Sequence, residues 1–161
     1  MAKESSLEEL KKDYEKLRGK YSLPSFRELN EEFDIEKAEE HETECLLREI
    51  RKLVMEKTIA YLRLIEMLLN PSNAPMFFFV LVKGLTSQDK RLLEKLYDKL
   101  GSFEIEILEL DCDYSEKKEA EFIKKLVGEW PSVKEDMLKL TEILRRNWNQ
   151  KSSKSERGYF G

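Results

Sequence analysis

The chain has 161 residues, 39% of them charged and 40% hydrophobic, with a net charge of −4. That length and apolar content suit a single globular domain; they exclude a disordered chain and a small disulfide-stapled scaffold. The acidic balance argues against nucleic-acid binding over the whole surface. The longest apolar run, Met76 to Val82, falls far short of a bilayer span, so no membrane partner is expected.

Leu7, Leu10, Tyr14, Leu17 and Tyr21 follow a 3-4-3-4 spacing, with Ser6 and Glu9 placed as a capping box. The stripe is narrow, so residues 1–21 read as a helical arm that must dock its seam on this chain or another. Ser25 and Glu28 form a second capping box ahead of a short helix from Phe26 to Phe33, with Leu29 and Phe33 facing inward.

From Ile35 to Leu69 there is neither Gly nor Pro, which predicts one long helix capped by Asp34. Its first half is acidic. Its second half, Leu46 to Leu69, is apolar over more than half its girth and is expected to be the central, most buried element. Ser72 is the expected cap of the next segment, whose Phe77 to Val82 reads as a second part of the core. Ser87 is expected to cap a helix with Leu92, Leu93, Leu96, Tyr97 and Leu100 on one face, ending at Gly101.

Phe103 to Tyr114 is ambiguous between two periods. Phe103, Ile107, Leu110 and Tyr114 have helical spacing, whereas Phe103 to Ile107 alternates like a strand. A helix follows from Ser115 to about Gly128. Ser132 with Glu135 is a third capping box, opening a last helix through Val133, Met137, Leu140, Leu144 and Trp148.

The fold class expected is therefore all-α: a bundle of six to eight helices around a long central helix, with residues 1–149 as one domain and 150–161 as a flexible tail. The alternative is an α+β chain with a small βαβ unit over residues 77–110. A two-stranded parallel sheet is poorly stable and no third strand is visible, so the helical architecture is preferred.

Motifs that would specify a chemistry are missing. His41, the single histidine, lies at i, i+3 and i+4 with Glu44 and Cys45 on the expected helix, a spacing that begins a metal site without completing it. Asp111, Cys112 and Asp113 fall between elements, where acids before a helix stabilise its N-terminus. No phosphate loop, nucleophile elbow or Cys-x-x-Cys is present. No catalytic, cofactor-binding or metal residue is assigned, and no cofactor is expected.

Two cysteines, at 45 and 112, and the lack of an apolar segment after Met1 point to the reducing cytoplasm. The excess of Glu and Lys over Gln resembles the composition of proteins from heat-loving organisms.

Charge is segregated along the chain. Glu28 to Glu44 is strongly acidic, while Lys139 to Arg157 is basic. The candidate interaction surface is that second stretch with its tail: Arg145, Arg146, Trp148, Lys151, Lys154, Arg157, Tyr159 and Phe160. The function expected is a non-enzymatic protein–protein interaction or scaffold module that associates with itself as a homo-oligomer. The alternative is a nucleic-acid accessory protein that uses these bases for phosphates and Trp148 for stacking.

Overall fold

A computed structural model of the chain describes residues 2–40 and 44–158, with side chains over 6–39 and 44–151. Every regular element among them is helical: α1 (Ala2–Tyr21), α2 (Phe26–Phe33), α3 (Leu46–Leu69), α4 (Met76–Lys83), α5 (Ser87–Cys112) and α6 (Glu116–Gly158), with 3-10 turns at Ile35–Glu40 and Pro71–Asn73. No strand occurs among the described residues. The βαβ alternative is thereby corrected, since residues 77–82 lie in α4 and 103–110 in α5.

Five further sequence expectations change. The element expected over Ile35 to Leu69 divides into a 3-10 turn and α3. Acids at 36, 39, 40, 42 and 44 repel one another at helical spacing. Asp34 adopts a left-handed conformation, φ 55°, and closes α2 through its N–H to the Asn30 carbonyl. The Asn30 side chain then binds Glu36 twice, accepting from its backbone N–H and donating to its carboxylate, which pins the 3-10 turn. Ile35 and Ala38, three apart, are the buried residues of that turn.

Gly101 does not end a helix. The buried series Leu93, Leu96, Leu100, Phe103 and Leu110 keeps helical phase through it, and α5 runs on to Cys112. The cap of α5 is Thr86 rather than Ser87: the Asp89 N–H donates to Thr86 Oγ1 and the Thr86 N–H to the Asp89 carboxylate. The expected break near Pro131 is likewise absent, because α6 continues through it to Gly158. A proline inside a helix costs about 3 kcal/mol, and burial of Trp130 just before it and Val133 just after it offsets that cost. Residues 150–158, expected in a tail, continue this helix.

The chain divides into two compact units, and α3, α5 and α6 each contribute to both. Unit 1 comprises Met1–Ile59 and Phe103–Trp130. Its buried side chains include Tyr14, Leu29, Ile35, Leu47, Ile50, Val54, Phe103, Ile123 and Leu126. Edge-on aromatic pairs join its elements: Tyr14 with Phe26 at 5.6 Å between ring centres, Phe33 with Trp130 at 4.9 Å, and Phe103 with Phe122 at 6.0 Å. Such pairs add about 0.5–1.5 kcal/mol each beyond burial.

The seam of α1 is used here. Leu10 and Tyr14 are buried, and the Tyr14 hydroxyl donates to the Pro24 carbonyl at 2.5 Å. Unit 1 also holds a buried ion pair. Arg51 donates to both Glu119 oxygens, at 2.7 and 3.0 Å, and to Asp111 at 2.8 Å. Burial alone would lower the Arg51 pKa, but hydrogen bonds to Glu119 and Asp111 outweigh it and hold the guanidinium firmly charged.

Unit 2 comprises Ala60–Ser102 and Pro131–Gly161. Leu62, Ile65 and Leu68 of α3, Leu81 of α4, Leu93, Leu96 and Leu100 of α5, and Val133, Met137 and Leu140 of α6 are its buried side chains. The Lys95 ammonium reaches Asp136 at 2.7 Å, joining α5 to α6.

Candidate interaction surface

The candidate site lies in unit 2 and is built from α4 and the C-terminal part of α6. Pro75 opens α4: its fixed φ suits a helix start, and its carbonyl accepts from the Phe78 N–H at 3.0 Å. Helical geometry then spreads the apolar run around the axis at about 100° per residue. Leu81 alone is buried, while Met76 is 80% exposed, Phe77 is 51% exposed and Phe79 is also exposed. Met76, Phe79 and Lys83 share one face at i, i+3 and i+7.

α4 is fixed to α6 through close polar contacts. Asn147 is buried and donates from Nδ2 to the Leu81 carbonyl at 2.8 Å. Gly84 closes α4 at the same place: a Cβ there would stand 2.6 Å from Asn147 Cγ and Oδ1, so only the missing side chain admits this approach. Next along α6, Arg146 donates to Asp89 at 2.7 Å. Burial would raise the Asp89 pKa, but hydrogen bonds from Thr86 and Arg146 prevail and hold it below the usual carboxylate range.

Trp148 completes the surface. Phe77 lies against it with ring centres 5.3 Å apart, and the Lys151 ammonium stands 5.1 Å from its ring centre. Lys83, Arg145 and Lys151 are exposed cations of these two helices. Residues 67–88 contain no acid, and neither do residues 143–155. In a chain with more acids than bases, both segments of this surface lack negative charge.

The residues expected from sequence meet different fates. Arg145 is exposed, Arg146 is held by Asp89, and Trp148 and Lys151 lie together beside Phe77. The backbones of Lys154 and Arg157 lie in α6, but their side chains are outside the described residues, as are Tyr159 and Phe160 entirely. His41 is also outside them; Glu44 is exposed and Cys45 half-buried. No cluster of three metal-ligating side chains occurs among the described residues. Asp111 binds Arg51, Asp113 binds Lys118 at 2.9 Å, and Cys112 is exposed.

The sequence reading misses the exposed face of α4 because it assigns the whole apolar run from Phe77 to Val82 to the core. One signal was present: on a helix only eight residues long, such a run cannot all face inward. No helix among the described residues is long and apolar enough to cross a membrane. Comparisons with protein-family models, curated proteins and solved structures find no match for this chain.

Proposed function

We propose that this chain is a non-enzymatic, cytoplasmic interaction module that associates with further copies of itself, and that α4 together with Trp148 forms its adhesive face. One observation carries this reading: the most apolar helix among the described residues buries Leu81 and leaves Met76, Phe77 and Phe79 exposed, with Phe77 against Trp148. Exposed large apolar and aromatic side chains beside exposed cations are the composition of a protein contact, in which aromatic anchors dominate the binding energy.

The finer architecture belongs to the same proposal. α3 is the central helix of a bundle, a reading supported by its buried series Leu47, Ile50, Val54, Leu62, Ile65 and Leu68. The continuity of α3, α5 and α6 across both units supports treating residues 1–149 as one domain.

Nucleic-acid binding is the weaker reading. One of its assigned phosphate contacts, Arg146, is already engaged with Asp89.

Light scattering on the eluting protein tests the main reading. The wild-type chain is expected to exceed its monomer mass as concentration rises, and Met76→Glu/Phe79→Glu is expected to return it to a monomer. A wild-type mass that stays monomeric at every concentration rejects it.

A further inference from the structure

We infer that self-association is head to tail: the α4 face of one copy seats on a second, acid-flanked apolar stripe on α5 of the next copy. This rests on the proposed role of α4 as the adhesive face. The stripe lies in unit 1. Ile105 is 62% exposed and Leu108 is 61% exposed, one helical turn apart, so they form one ridge. Glu109 lies one turn beyond Ile105, and Glu104 one turn before Leu108.

The charge around this ridge is opposite to that around α4. Residues 100–116 hold six acids and no Lys or Arg, whereas residues 67–88 hold Lys83 and no acid. Four of these acids are met by cations of unit 1, Glu106 by Lys125, Asp111 by Arg51, Asp113 by Lys118 and Glu116 by Lys20, and Glu109 lies exposed on the ridge side. Ile105 and Leu108 are exposed within unit 1, and Met76 within unit 2.

Two geometries of self-association compete. In a symmetric pair, the α4 face meets a second α4 face, and Lys83, Arg145 and Lys151 meet their own like charges, which is costly across an interface. In a head-to-tail contact, apolar side chains meet apolar side chains, and the cations of α4 and α6 meet the carboxylates of α5. The second geometry satisfies both terms. It is also heterologous, so an open assembly keeps one unused face of each kind, at its two ends, and grows until a ring closes.

Complementary blocked variants provide the test. Ile105→Lys/Leu108→Lys blocks the stripe, and Met76→Glu/Phe79→Glu blocks the α4 face. All four positions are exposed, so thermal unfolding should be little changed; Ile105→Ser/Leu108→Ser replaces the Lys pair if it is not. Wild-type mass is expected to grow past a dimer with concentration or to settle at one ring mass. Each variant alone is expected to be a monomer. Their equimolar mixture is expected to stop at a dimer, because only one compatible pair of faces remains. Raising salt from about 50 to about 500 mM should weaken the association about tenfold.

If the stripe-blocked variant still dimerises alone, α4 pairs with α4; the head-to-tail inference falls while the proposed function stands. If the wild type is monomeric throughout, both fall. Monomeric chain that sediments with phosphatidylserine vesicles or retards a single-stranded oligonucleotide assigns the α4 face to that occupant and overturns the inference.

Discussion

α1 and α4 invert what their compositions suggest. α1 is among the most polar helices of the chain, yet Leu10 and Tyr14 are buried and Tyr14 is sealed by a hydrogen bond to Pro24. α4 is the most apolar, yet Met76, Phe77 and Phe79 meet solvent. Burial therefore follows the supply of partner faces rather than local hydrophobicity. The narrow seam of α1 needs little surface, and Phe26, on the chain that turns back after it, supplies part of it. The run on α4 points in every direction, and one side of a short helix finds a partner in its own molecule.

The sharpest way to break this contrast is to truncate both helices where they differ. Tyr14→Ala should cost about 3–5 kcal/mol of unfolding free energy in urea, through lost packing and an orphaned carbonyl. Met76→Ser/Phe79→Ser should change stability by about 0.5 kcal/mol or less per site. Similar losses from the two would mean that the α4 side chains are packed in the free molecule.

A smaller effect is expected at the contact between α4 and α6. Gly84→Ala drives a methyl group into buried Asn147 and should cost about 1–3 kcal/mol. Gly19→Ala on α1, where nothing lies within 4 Å of the added carbon, should be neutral or stabilising by up to about 1 kcal/mol. Equal effects from the two glycines would show that the close approach at Gly84 is relaxed in solution.

The smallest effects separate the helices by pH. Burial raises the Tyr14 phenol above its ordinary value near 10, so its contribution is complete below about pH 10 and is lost as pH rises towards the folded value. Hydrogen bonds depress Asp89, so its contribution is complete above about pH 4 and is lost as pH falls through the lowered value. Tyr14→Phe should flatten the alkaline limb of stability, and Asp89→Asn the acid limb. Urea midpoints measured across pH check both, and a limb that keeps its slope in the matching variant removes that group from the account.

Much of the helical fold was legible in the residues. The capping box of Ser25 and Glu28 is present as read, and the helical spacing of Phe103 and Leu110 prevailed over strand alternation because it continues the series Leu93, Leu96 and Leu100. Helix ends were less legible. Ser132 and Glu135 resemble a start signal, but the buried residues on either side of Pro131 carry α6 through it. The candidate surface was half legible: Arg145, Trp148 and Lys151 were visible as a basic, aromatic stretch, whereas Phe77 and Phe79 were assigned to the core.

Backbone chemistry and the recurrence of apolar residues near every third or fourth position were enough, without coordinates, to make this chain helical, because each turn closes its own hydrogen bonds locally. Which apolar side chains are covered depended on surfaces distant in sequence. An eight-residue helix can bury no more of its circumference than its neighbours supply, and the spacing of residues along a chain carries no record of which neighbours those are.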